Sequence, residues 1–235
     1  MKTPLVTVFA TAAGLTLAGA ASAASGTISG AGADFIVDSG SMPGLFAGVT
    51  THEFVDIQMD MLHNAIHADG VSTDSLVTFA LVESADGVAF VSLVDDNTRP
   101  LHQNMSWMNF TSNATGNVNY WVNDLGYDVL DITQNGGITT ANGQFEWNDG
   151  AGDAFAWSSI GQGTQIDFTF NQGGGNALFQ SAPFQFLTNV DGIWTSLKRG
   201  DFNEGGFNFE FAMPAPGALA LIGLAGLAGS RRRRG

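Results

Sequence analysis

Cysteine is absent from all 235 residues. No disulfide can staple the chain, and no thiolate can attack a substrate or hold a zinc ion, so packing alone must hold the fold. Basic residues are scarce: eight against 22 acidic ones, for a net charge of −14. Five of the eight, Lys2 and Arg231 to Arg234, sit at the two ends. Between Ala24 and Ala212 only Arg99, Lys198 and Arg199 oppose all 22 carboxylates, three against 22, which leaves that stretch at −19. So acidic a surface repels nucleic acid and anionic lipid and suits a soluble protein in a salty medium. A G-x-S-x-G elbow and a phosphate-cradling P-loop are both missing, so nucleophilic hydrolysis is unsupported by any motif. Internal repeats are missing as well.

What is present begins with the ends. The opening "MKTPLVTVFATAAGLTLAGAASAA" has Lys2, an apolar stretch from about Leu5 to Ala20, and then Ala21-Ser22-Ala23, which fits the small-x-small cleavage rule. This is the layout of a secretory signal peptide over residues 1–23, cut between Ala23 and Ala24 and delivered to the Sec export machinery. An uncleaved membrane anchor is the competing reading.

Residues 24–212 form the body, rich in Gly, Asn, Asp, Ser and Thr and holding most of the Phe and Trp. In "EFVDIQMDM", Val55, Ile57, Met59 and Met61 alternate with Asp56, Gln58 and Asp60, which predicts a half-buried strand. Two apolar runs meet at Asp86-Gly87, so Leu76 to Val94 reads as a hairpin. Further strands are expected at "NVNYWVN", "YDVLDIT", "QFEWND", "AFAWSS", "TQIDFTFNQ", "PFQFLTNV" and "FNFEF". The segments between them ("NGG", "ANG", "NDGAGD", "GQG", "NQGGG", "NEGG") are turn formers. No stretch has a convincing 3.6-residue apolar period with caps; "MLHNAIHADG" is a weak candidate for a helical turn. The pattern predicts an all-β fold: one β-sandwich, jelly-roll-like, with a barrel as the less favoured closure.

Candidate chemistry in the body is diffuse. His63 and His67 in "HNAIH" have the i, i+4 spacing that chelates a metal on a helix; on a strand they would lie about 13 Å apart. His52 opens "HEFVD", which has Asp56 where a zinc-protease helix needs a second His; His102 stands alone. Three loops carry hard oxygen ligands of the kind calcium prefers: "VDDN", "NDGAGD" with Asp149 and Asp153, and "GDFNEGG" with Asp201 and Asn203. None matches an EF-hand loop, and solvated turns account for them equally. Trp107, Trp121, Trp147, Trp157 and Trp194 could form a sugar-stacking face, although strand tryptophans more often pack a core. With 22 carboxylates, some pair will be spaced for glycoside hydrolysis by chance, so none is singled out. No catalytic residue, and no cofactor beyond calcium, is assigned.

The end of the chain, "MPAPGALALIGLAGLAGSRRRRG", is different. Gly217 to Gly229 is wholly apolar, including Leu219, Leu221, Ile222, Leu224 and Leu227, and it precedes Arg231, Arg232, Arg233 and Arg234. A run this short is a marginal membrane helix, since about 17–20 residues span a bilayer. The arginines would stay in the cytoplasm and leave the body outside. Signal peptide, Pro214 and Pro216, short apolar helix and terminal arginine cluster together resemble the PEP-CTERM sorting signal of Gram-negative bacteria. The central Glu of that motif is Ala215 here. The resemblance covers residues 213–235 and the leader and is silent about the body. It implies that an exosortase-type membrane transpeptidase recognises the tail and cuts near the Pro-x-Pro, after transient anchoring in the inner membrane. It also implies a body destined for the cell surface or an exopolysaccharide and biofilm matrix. The expected role is structural or adhesive rather than enzymatic, and the alternative is a glycan-binding module or weak glycan-active enzyme.

Overall fold

The computed structural model describes residues 23–31, 34–49, 54–74, 76–94, 106–116, 118–122, 129–147, 153–171, 183–201 and 206–212. They form fourteen strands and, among the described residues, one helix: β1 (Ser25–Ser29), β2 (Phe35–Asp38), β3 (Gly40–Ser41), α1 (Asp56–Ala68), β4 (Val77–Ser84), β5 (Gly87–Val94), β6 (Ser106–Thr115), β7 (Asn119–Val122), β8 (Val129–Asn135), β9 (Ile138–Trp147), β10 (Asp153–Ser158), β11 (Gln165–Asn171), β12 (Pro183–Val190), β13 (Ile193–Asp201) and β14 (Phe207–Ala212). The protein is mostly β and divides into two sheets. The first runs β2-β1-β14-β11-β6-β9-β8; the second runs β13-β12-β4-β5-β10-β7, with β3 alongside β4.

The sheets face each other across an aromatic core. Phe79 and Phe90 of the second sheet meet Phe168, Phe207 and Phe209 of the first, at ring-centroid separations of 4.4 to 6.3 Å. Trp157 is fully buried there, edge-on to Tyr120 and Phe155, and its indole N–H donates to Ser112 Oγ across the interface at 2.7 Å. Room is tight: a Cβ on Gly26 would lie 2.2 Å from the Phe209 ring, so β1 keeps a glycine at this inward position.

Local sequence explains the hairpins. Ser84 pairs with Gly87, and β4 and β5 run antiparallel around the turn at Ala85 and Asp86, as the sequence predicts. Gly136 and Gly137 both take positive φ between β8 and β9, as do Asp191 and Gly192 between β12 and β13. That is the signature of type I′ turns, whose twist matches the flanking strands.

One predicted strand is not a strand. The segment "EFVDIQMDM" enters α1, and its alternating residues do not share a buried face: Val55 and Ile57 are exposed. The buried set is Phe54, Gln58, Leu62 and Ile66, spaced by four, which lies along one side of a helix. That side packs with Leu45 and Phe46 over the outer face of the second sheet, onto Ala80, Val82, Ala89, Val91, Leu93, Ala154, Ala156 and Leu187.

Candidate functional site

The sorting and signal residues lie almost wholly outside the described residues. This applies to Ala21, to Pro214, Ala215 and Pro216, to Gly217, Leu219, Leu221, Ile222, Leu224 and Leu227, and to Arg231, Arg232, Arg233 and Arg234. What the structure does place is the first and last described strands. β1 and β14 are antiparallel neighbours, with Ser25 opposite Ala212 and Ser29 opposite Asn208. Ser25 and Ala212 therefore lie side by side at one end of the first sheet. Ala23 is exposed there and Ala24 is buried. Among the described residues no helix is long and apolar enough to cross a membrane.

The tryptophans do not form a described sugar-stacking face. Trp157 is enclosed between the sheets. Trp121 is stacked on Phe46 at 5.6 Å on the other side of the second sheet. Trp194 is 4% exposed and lies against Gly40, where a Cβ would be 2.2 Å from its ring. These three therefore serve the core, the ordinary use of a large aromatic in a sheet. Trp107 and Trp147 fall in β6 and β9 where only the backbone is described.

The calcium candidates are likewise scattered. Asp149 and Asn203 lie outside the described residues, and Asp201 closes β13 with only its backbone described. Asp153 does not sit in an exposed loop: it opens β10, opposite Val94, and is buried. Among the described residues no three His, Asp or Glu side chains are grouped to hold a metal ion.

The helix that replaces the predicted strand brings His63 and His67 onto one face, with rings stacked at 4.0 Å. His52 and His102 lie outside the described residues. Thr73 locks the pair. Its Oγ1 lies 3.1 Å from His63 Nδ1 and 3.0 Å from His67 Nε2, and its backbone N–H donates to His67 Nε2 at 3.2 Å. The Thr73 backbone and hydroxyl thus both converge on His67 Nε2. Asp74 Oδ1 stands 3.9 Å from the same nitrogen. The arrangement anchors the loop after α1.

Among the described residues, another polar cluster forms where sequence reading singled out no site. Asp86 Oδ2 accepts from Asn119 Nδ2 at 3.0 Å, Ser158 Oγ at 2.6 Å and Ser159 Oγ at 2.8 Å. The Trp121 indole N–H donates in turn to Ser158 Oγ. Partial burial pushes the Asp86 carboxyl up, but hydrogen bonds from Ser158, Asn119, Ser159 and Trp121 outweigh it and hold the group below its ordinary 3.8. Ser159 takes φ 53° to reach the turn, an uncommon conformation for a residue with a Cβ. Beside this cluster opens a cleft of about 460 Å³, lined by Gly116, Asn119, Gln134, Gly136, Thr139 and Ser159. The chemistry available is modest. Ser158 is fully buried, and its hydroxyl already donates to Asp86. Neither His63 nor His67 is among the groups bonded to Asp86 or its serines. The cluster staples the β4–β5 turn to β7 and β10. Asp86 was legible only as a turn former, because its partners are 33 to 73 residues away.

No family model, curated protein or solved structure matches this chain.

Proposed function

We propose that this chain is the precursor of an exported cell-surface or extracellular-matrix protein, with a structural or adhesive role and no catalytic residues of its own. In this reading the Sec machinery exports it and the leader is removed after Ala23. The tail then holds it in the inner membrane until an exosortase-type transpeptidase cuts near Pro214 to Pro216. The reading takes the sandwich as jelly-roll-like, supported by the changes of sheet between most consecutive strands and by β14 lying beside β1.

The observation that carries the reading is the pairing of Ser25 with Ala212. A leader and a tail attached at the ends of neighbouring strands both address a membrane on the same side of the body, and the leader cut falls just outside β1, at the nitrogen that donates to Glu83. The body's charge of −19 supports it further, since such a surface does not adhere to anionic lipid while held close to it.

The test is intact mass on protein recovered from the native host, from membrane and from medium. A chain that starts at Ala24 and ends near Pro214 is expected. A membrane-bound chain retaining the apolar run and four arginines would make the tail a permanent anchor and end the sorting-enzyme reading.

The outer face of the first sheet favours a second reading, a glycan-binding module for exopolysaccharide or a weak glycan-active enzyme. Thr111, Asn113, Thr140 and Asn142 form a patch of hydroxyl and amide groups, joined by a Thr111–Asn142 bond of 2.9 Å and a Thr140–Asn113 bond of 2.6 Å. Retention of the mature protein on immobilised host exopolysaccharide, lost in Asn142→Ala, would favour this role; no retention would remove it.

A further inference from the structure

Ala24 is where, on the export reading, signal peptidase leaves the first amino group of the mature chain, and the role inferred for Glu83 rests on that reading. The Ala24 backbone nitrogen does not join a ladder in the first sheet. It points across to the second sheet and donates to Glu83 Oε1 at 3.0 Å. Ser39 Oγ donates to the same oxygen at 2.8 Å, and the Ser39 N–H donates to the Ala24 carbonyl at 2.8 Å. Ala24 is 6% exposed and belongs to the core, whereas the residue before it is exposed. Glu83 lies on β4 opposite Ser41, where the chain has just crossed from β2 to β3. A carboxylate is thus aimed at one backbone nitrogen, 59 residues away in sequence, at the junction between sheets.

In the uncut chain that nitrogen is an amide, a neutral donor with one hydrogen. We propose that Glu83 is the receptor for the amino terminus that export creates. Hydrolysis breaks the Ala23–Ala24 C–N bond. The oxygen of water joins the Ala23 carbonyl carbon to give a carboxylate, and both its hydrogens end on the Ala24 nitrogen. The resulting α-ammonium stays where the amide was and pairs with Glu83. The surroundings favour a cation: β4 contributes Glu83, β2 contributes Asp38 opposite Ser25, the nearest ionisable group on β14 is Glu210 opposite Thr27, and β3 contributes none. An opposite charge within hydrogen-bond distance stabilises the protonated amine, so its pKa is raised on folding. The stabilisation is complete below the ordinary α-amino pKa of about 7.7–8.0 and is lost as pH rises through the raised value. Cutting the leader therefore tightens the seam between the sheets as well as releasing the body.

The experiment uses the full chain, expressed with its leader in a Gram-negative host that exports it, with alanine methyl groups labelled with carbon-13. N-terminal sequencing of the exported product fixes the first residue, and the Ala24 methyl resonance then reports titration of the amino group. The expected result is a start at Ala24 and a midpoint about one pH unit or more above the ordinary range, a tenfold or greater gain in proton affinity. Glu83→Gln should return the midpoint to that range. Ser39→Ala, which keeps the carboxylate, should leave it raised. If Glu83→Gln does not fold, the wild-type midpoint and Ser39→Ala still decide the matter. A chain that starts at Ala24 but titrates in the ordinary range overturns the Glu83 inference and leaves the export reading standing. A start at another residue overturns the inference and relocates the cut. A leader that is never removed overturns both.

Discussion

The two sheets are built on different terms. The second is covered on both faces, by the aromatic core on one side and by α1, Leu45, Phe46 and Phe54 on the other. Among the described residues, the first is covered on one face only. Its other face shows Thr27, Gln165, Asp167, Thr169, Asn208 and Glu210 to solvent or half-buried. The difference is written into the strands. Val77 to Val82 and Ala89 to Val94 are buried without interruption, while Gln165 to Thr169 alternates exposed and buried. A strand buried on both sides has no polar period to show, and one buried on a single side must have period two.

The largest effect should come from uncovering the second sheet. Leu62 is fully buried on α1, and Leu62→Ala should lower unfolding stability by about 2–5 kcal/mol through lost contacts and a residual cavity. Urea denaturation of the mature protein checks this, and a loss below about 1 kcal/mol would mean that the helix is a loose appendage. An intermediate effect is expected at the staple between β4, β7 and β10. Asp86→Asn should cost about 1 kcal/mol at neutral pH, because a charged acceptor of several hydrogen bonds is replaced by a neutral one. The sign with pH follows from the lowered carboxyl. Its contribution is present above the ordinary 3.8 and is lost as pH falls through the depressed folded value. Wild type should therefore lose stability across that acid window more steeply than Asp86→Asn, and parallel acid-unfolding curves would contradict the role. The smallest effect belongs to the open face. Thr169→Val keeps the branched shape on an exposed position and should change stability by no more than about 0.5 kcal/mol. A larger loss would mean that something covers this face.

The same contrast explains what could be read without a structure. The β4–β5 hairpin was legible because two apolar runs meet at a turn that favours Asp-Gly. Strands β11 and β14 were legible from their alternation. Helix α1 was not. Its buried stripe includes Gln58, whose Oε1 accepts the Phe46 N–H, so a polar letter interrupts the apolar period. Its N-cap is Val55, which offers no side-chain cap to announce a helix. The misleading Val55 and Ile57 are exposed apolar residues, and no pattern rule can recognise those in advance. Strand β13 was missed because it is an edge: Ile193 and Leu197 are exposed, and it carries Lys198 and Arg199, charges that discourage edge-to-edge pairing. Among the candidate sites, the leader and tail are contiguous and so visible in one dimension. The Asp86 staple and the Glu83 contact are assembled across long gaps in sequence and leave no local trace.

The Ser25–Ala212 pairing also has a mechanical meaning. Antiparallel strands whose free ends lie together are peeled one hydrogen bond at a time when those ends are pulled apart, the geometry of least resistance to force. On the proposed export route, a chain held by both leader and tail would load that seam directly with any drift between the two attachment points. Once one of them is cut, tension can no longer be applied across β1 and β14. Force on the surviving end must then be borne against some other part of the body, over many bonds at once.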